Sequence, residues 1–278
     1  WTQVEQKLGH SETGNVASAR IIQMPNRRAW WRVAAIALLF ISAGLWWMLK
    51  QDAPQMIVVQ TVAKEQLEWQ LPDGSTVWLN ENTSISYDSV FADRLVTLEG
   101  EAFFDVEKRD GKLFEILSGD AKTTVLGTRF NVRAYSEENH IEVTVEEGQV
   151  KLANQVTKDN AVNLEAGDSG ILNKTAQQVI KSETPISNAN AWRTKQLNFE
   201  DITIGAALPS LERYFGVDIK AENEAVLNCH LKITFPEVPE IETVFAIIQE
   251  MTGESLIFEA QNGGYLLKGE GCNDDATN

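Results

Sequence analysis

The sequence predicts a single transmembrane helix, then an all-β region, then a small α+β region built from two βαβ units. Three observations carry this expectation. Val33 to Leu49 is a run of 17 residues without a charge. Residues 62–182 alternate short apolar runs with turn residues. After Trp192 the apolar spacing becomes that of short helices between strands, and the scheme occurs twice.

The N-terminal 32 residues hold five basic and two acidic side chains, a net of +3. The chain starts at Trp1 rather than Met, so it is expected to begin inside a longer protein. A tail of about thirty residues cannot bury a core of its own. From Lys50 onward, 19 basic residues face 38 acidic ones. Such an acidic surface repels phosphate backbones, so direct nucleic-acid binding is not expected.

As a helix, residues 33–49 would span about 25 Å, somewhat less than a hydrocarbon core of about 30 Å. Trp30 and Trp31 on one side, and Trp46 and Trp47 on the other, suit the headgroup zones. Arg32 and Lys50 can snorkel outward. A buried core helix fits these flanks less well, and KQDAPQ after Leu49 offers no signal-peptidase site. Arg27, Arg28 and Arg32 precede the helix and Lys50 alone follows it. The positive-inside rule therefore places the N-terminus in the cytoplasm and exports everything after residue 50.

Residues 50–61 read as a linker. Over 62–182 the expected strands include Thr76–Leu79, Leu95–Leu98, Phe130–Ala134, Ile141–Val145 and Val150–Leu152. Alternation at Ile141, Val143 and Val145 marks a half-buried strand. Turns are expected at Pro72-Asp73-Gly74, Glu99-Gly100, Asp110-Gly111, Glu147-Gly148 and Ala166-Gly167-Asp168. Evenly spaced short strands suggest a sandwich or a β-solenoid, with a barrel as a further option.

Over 192–270, Leu197-Asn198-Phe199 is a short strand, and Ile204, Leu208, Leu211 and Phe215 share one helical face. Gly216 suits a helix C-terminus, and Val217-Asp218-Ile219 resumes strand. Pro209 implies a kink or a later helix start. The second copy runs from Ile233-Thr234-Phe235 through a helix opened by Pro239, with Ile241, Val244, Phe245, Ile248 and Met251 inward, to Gly253 and Ser255–Phe258. Tyr265–Lys268 supplies a last strand, and residues 271–278 form a loose tail. This is an α+β pattern.

Catalytic and metal motifs are scarce. His10, His140 and His230 form no ligand pair, and there is no P-loop, G-x-S-x-G or C-x-x-C. No enzyme activity, cofactor or metal is expected. Cys229 and Cys272 are either a disulfide tying the tail to the α+β region or two independent thiols.

Leu71-Pro72-Asp73-Gly74-Ser75-Thr76-Val77-Trp78-Leu79-Asn80 resembles the signature of the FecR family of anti-sigma factors. The resemblance continues through Ile85-Ser86-Tyr87, Leu98–Val106, Gly127–Val132 and Val145–Val150. Residues 192–268 are similar to the C-terminal domain of Bacteroidetes-type members, itself like the short signalling domains of secretins and TonB-dependent transporters. The resemblance implies an inner-membrane protein with a periplasmic bulk. It would receive a signal from the periplasmic signalling domain of an outer-membrane TonB-dependent transporter. It would pass that signal to a cytoplasmic extracytoplasmic-function sigma factor. Residues 1–32 would then be the C-terminal remnant of a sigma-binding region.

Some members of this family cleave themselves at a Gly-Thr bond, and Gly127-Thr128 matches that position. A neighbouring hydroxyl can attack a strained glycine carbonyl. The plainer reading gives Gly127 a packing role and Thr128 an ordinary strand position, since no obvious base is adjacent. Two other functions fit the same sequence: a structural or assembly accessory of an envelope transport machine, and a self-processing membrane protein. Partner binding is expected by strand addition at sheet edges of the α+β region, with Leu197 and Phe199 on one edge and Tyr265, Leu266 and Leu267 on another.

Overall fold

The computed structural model describes residues 27–49, 55–157, 160–182, 186–253, 255–261 and 263–272. The expected tail before residue 27, linker residues 50–54 and the tail beyond 272 lie outside the described residues. The chain divides into two compact units, Trp1–Ala53 and Pro54–Asn278.

In the first unit, helix α1 (Arg27–Leu49) forms over the uncharged run. Ile36, Leu38, Leu39, Phe40, Ile41 and Leu45 are all exposed. Among the described residues, no helix is long and apolar enough to cross a membrane.

The second unit is mostly β. Its first part contains β1 (Met56–Gln60), β2 (Leu67–Gln70), β3 (Thr76–Leu79), β4 (Ser84–Asp88) and β5 (Leu95–Asp105). It continues through β6 (Phe114–Ser118), β7 (Ala121–Val125), β8 (Arg129–Ala134) and β9 (His140–Glu147). It closes with β10 (Gln149–Asn154), β11 (Ala161–Glu165), β12 (Ser169–Asn173) and β13 (Gln178–Lys181).

The 11-residue β5 organises this body. Its first half pairs with β4 and β6, and its second half pairs with β3 and β8. One layer therefore runs β1-β4-β5-β6-β7-β10-β11, and the other runs β2-β3-β5-β8-β9-β12-β13. The strand changes layer at Gly100, whose φ is +102° and where a Cβ would lie 2.5 Å from Thr83 Oγ1. Glycine alone meets both demands.

Of the expected architectures, the solenoid does not describe this body, whose two layers share β5 in one sheet. All its strand pairs are antiparallel except β5–β6, whereas a solenoid stacks parallel strands. Alternation packs Ile85, Ile116, Leu152, Ile141 and Leu172 between the layers. Phe104 stacks on Phe130 at 5.4 Å in the same core.

The C-terminal lobe begins with the short turn α2 (Ala191–Thr194). It contains β14 (Leu197–Thr203), α3 (Ile204–Phe215), β15 (Asp218–Ala221), α4 (Glu224–Leu227) and β16 (His230–Phe235). It ends with α5 (Ile241–Met251), β17 (Leu256–Gln261) and β18 (Gly264–Gly269). The repeat of strand, helix and strand is present, but the expected pairing within each copy is not. β14 pairs with β16, antiparallel, while β15 and β17 flank β18 in a second sheet. Thr203 both ends β14 and caps α3, accepting from Ala206 N.

Helix α3 starts at Ile204 and runs through Pro209, so of the two expectations, a kink or a later start, the later start is corrected. The hydrogen bond lost is the one the Gly205 carbonyl would accept, and the absent Gly205 side chain instead lets α3 approach Leu227, to which a Cβ would lie 3.3 Å. Ile241, Val244, Phe245 and Ile248 face the core as expected, but Met251, in the last turn, is 48% exposed.

Candidate functional site at the junction of the β body and the C-terminal lobe

The motif residues Leu71, Pro72, Asp73, Gly74 and Ser75 form the β2–β3 turn. Ser75 N and Ser75 Oγ both donate to the Asp73 carboxylate, each at 3.0 Å. The other ligand of that carboxylate is Arg94, whose Nε lies 2.7 Å from Asp73 Oδ2. Arg94 also donates to the carbonyls of Lys112 (3.0 Å) and Glu107 (2.6 Å). Arg109 donates to the Asp73 carbonyl. Asp73 and Arg94 are both buried, so the motif is an internal clamp joining three loops.

The outer face of the second layer is the more informative surface. Alternation marks it as a solvent face, but the C-terminal lobe covers it. Glu101 on β5 is fully buried, and its carboxylate accepts from Asn80 Nδ2 (3.0 Å), Asn131 Nδ2 (2.9 Å) and Arg133 Nη1 (2.8 Å). Asn131 in turn accepts from Trp192 Nε1 at 3.2 Å. The Arg193 guanidinium lies 4.0 Å from the Phe103 ring centroid and 5.0 Å from that of Trp78.

Further along the same face, Glu142 on β9 is 3% exposed and receives both ends of the Arg213 guanidinium, each at 2.8 Å. Burial works against the charge of Arg213, but the hydrogen bonds and charge of Glu142 outweigh it, and the pKa is raised. Asn190 donates to Glu146 at 2.7 Å. A cleft of about 370 Å³ opens beside these contacts, between Gln66, Asn80, Trp192 and Arg213. The junction is therefore polar, charge-paired and specific in register. Interfaces of this composition join parts that can separate.

Tyr135 borders this network. Its Oη donates to the Glu81 carbonyl at 2.9 Å, and Arg133 lies over its ring at 4.8 Å. Burial first, then the negative charge of Glu101, push its hydroxyl from 10.0 up to about 12. The folded chain thus holds this proton to higher pH than the unfolded one. The contribution is complete below pH 10 and is lost as pH rises toward 12. Tyr135→Phe is expected to flatten the alkaline arm of the stability profile over that interval; an unchanged slope would reject this assignment.

Gly127 and Thr128 precede β8. A Cβ on Gly127 would lie 2.7 Å from Lys108 Cβ, which gives the glycine a packing reason. The buried Thr128 Oγ1 donates to the Gln149 carbonyl at 3.0 Å. Among the described residues no side-chain base is hydrogen bonded to it, so this geometry does not activate the hydroxyl.

One of the two expected sheet edges is corrected. β14 is an edge of its two-stranded sheet as expected, but its Leu197 and Phe199 side chains are buried and the outward backbone groups of Asn198 are engaged. Asn198 N donates to Asn188 Oδ1 (2.8 Å), and Asn188 Nδ2 donates to the Asn198 carbonyl (3.1 Å). Tyr265, Leu266 and Leu267 lie on β18, which is central between β15 and β17. Cys229 and Cys272 form a disulfide with Cα atoms 5.2 Å apart. Among the described residues no group of His, Cys, Asp and Glu is placed to hold a metal ion.

Sequence reasoning missed Arg94, Glu101, Asn131, Glu142 and Arg213. One signal was available: Glu101 directly adjoins the apolar run Ala102-Phe103-Phe104, and a carboxylate buried there requires a partner.

The family described as FecR protein matches residues 57–151, and that described as FecR, C-terminal matches residues 196–263. Together they span more than half of the chain. Two crystal structures, at 1.65 and 2.50 Å resolution, of a protein described as a candidate anti-sigma factor from Parabacteroides distasonis ATCC 8503 are similar to this chain. They are 28% and 27% identical, with TM-scores of 0.56 and 0.55. Each match covers 77% of this chain and 99% of that one. No curated protein matches the chain.

Proposed function

From the premise that the chain belongs to the FecR family of anti-sigma factors, we propose that it is a single-pass inner-membrane sigma regulator. It relays a signal from the periplasmic signalling domain of an outer-membrane TonB-dependent transporter to a cytoplasmic extracytoplasmic-function sigma factor. The observation that carries the relay is the junction. The C-terminal lobe rests on the β body through Trp192–Asn131–Glu101 and Arg213–Glu142, polar contacts that a partner on the lobe could bias.

Membrane anchoring by residues 33–49 rests on the flanking tryptophans and basic residues together with the exposed apolar surface of α1, which alone falls short of crossing. Exposed apolar side chains from Ile36 to Trp46 suit a lipid environment better than water. In this reading residues 1–32 are cytoplasmic, 50–61 are the linker, 62–182 the FecR-like body and 192–270 the receiving lobe. The function is protein–protein contact and requires no chemistry at a substrate.

The test is a fusion, after Gly269, of a reporter active only outside the cytoplasm. Activity is expected. A stably produced but inactive fusion would overturn the topology, and the relay with it. Co-purification of the full chain from membranes should recover a sigma factor and a transporter; recovery of neither, with the chain intact, would reject the relay.

A further inference from the structure

Of the strand edges in the C-terminal lobe, three are managed. Asn188 engages the outward N–H and C=O of Asn198 on β14. On β15, Ile219 N donates to Glu212 Oε1 at 2.7 Å. On β16 the exposed Lys232 sits mid-strand, and Pro236 and Pro239 follow closely. The edge strand β17 has no such device. Its one charge, Glu259, is paired across the hairpin with Lys268.

The orientation of β17 follows from its turn. Gln261 pairs with Gly264 across the two-residue connection 262–263. A two-residue hairpin closes on a pair that exchanges both hydrogen bonds. Counting back, Glu259 and Ile257 also bond to β18, so the N–H and C=O groups of Phe258 and Ala260 point outward. Among the described residues neither has a backbone partner on that side. A groove of about 860 Å³ adjoins this edge, lined by Ala246, Gln249, Glu250 and Gly253 of the α5 region and by Ile257 of β17. An unpaired strand beside a groove bordered by a helix is the geometry that accepts an added strand.

We propose that β17 and the α5 groove bind an extended strand of a partner protein that carries alternating apolar and basic residues. Main-chain bonds to Phe258 and Ala260 supply affinity. Apolar side chains on one face of the incoming strand enter the groove beside Ala246 and Gly253. Basic side chains on the other face lie across from Glu259, with Glu250 on the groove rim. The lobe favours this charge sign: residues 191–278 hold 15 acidic and 6 basic side chains. The surface is argued from its own geometry and does not depend on which protein supplies the strand.

The experiment uses the full chain in nanodiscs and two ten-residue peptides, one alternating valine with lysine and one alternating valine with glutamate. The lysine peptide is expected to bind at least tenfold more tightly than the glutamate peptide. Ala260→Pro removes an outward N–H, leaves the bonds to β18 intact, and should weaken the lysine peptide at least tenfold. Non-specific attraction to an acidic protein would survive that substitution, so unchanged affinity overturns the proposal. Should Ala260→Pro disturb the lobe's circular dichroism, Ala246→Trp decides. It fills the groove from an exposed helix position and should weaken binding at least fivefold. Full affinity there, or no binding of either peptide to the unaltered chain, also overturns the proposal. If instead both variants lose the peptide but still bind a transporter's signalling domain normally, the strand site stands and that domain docks elsewhere.

Discussion

Asp73→Ala is expected to destabilise the β body by about 3–5 kcal/mol, because it leaves the buried Arg94 guanidinium without its counter-charge. Arg94 and Asp73 are 4% and 7% exposed, so water cannot replace the lost partner without opening the clamp. The loss should appear in urea unfolding as a lower midpoint with an unchanged slope. Asp73→Asn keeps an acceptor for Ser75 N but not the charge, and should recover only part of the loss. Replacing both partners, Asp73→Ala with Arg94→Met, should be less harmful than Asp73→Ala alone. A single substitution costing under about 1 kcal/mol would show that the pair is dispensable.

Arg213→Ala should have the next largest effect, and its consequences concentrate at the junction. Glu142, 3% exposed in the folded chain, would lose its bidentate ion-pair partner. Arg213 itself is 20% exposed, so the loss is expected at about 2–3 kcal/mol, below that of a fully enclosed pair. Hydrogen exchange at Asn190 to Lys195 should accelerate, while amides of β8 and β9 inside the body stay protected. Glu142→Gln in the same background should restore much of the protection, since the stranded charge is gone. Uniform acceleration across the whole second unit would instead assign Arg213 to global stability and not to docking.

Much of the β body was legible because its strands obey one local rule. Ile141, Val143 and Val145 alternate, the turn glycines sit where positive φ is needed, and pattern alone places these strands. The same rule misleads at Glu101, Asn131 and Glu142. Their polar alternation indicates solvent, yet another part of the chain covers them. No local signal specifies that cover. Strand order in the C-terminal lobe was hidden for a related reason. β18 is the last strand in sequence and so reads as an edge, but its parallel pairing with β15, more than forty residues earlier, makes it central. Asn188 blocks β14 through a side chain in a loop, a contact that no periodicity encodes. The motif 71–75 could be recognised without being understood, because its purpose depends on Arg94 about twenty residues away.

The Cys229–Cys272 bridge has a further effect on the lobe. It closes a covalent ring between cysteines 43 residues apart in sequence, and the ring contains β16, α5, β17 and β18. In a chain-entropy treatment a ring of that length removes about 4 kcal/mol of freedom from the unfolded chain. The half of the lobe that presents the open edge is therefore held most firmly where thiols are oxidised. A copy of the chain kept in a reducing compartment would present the same surface in a smaller folded fraction, and so bind another strand with lower apparent affinity. The bridge thus couples the readiness of that edge to the redox state of its surroundings.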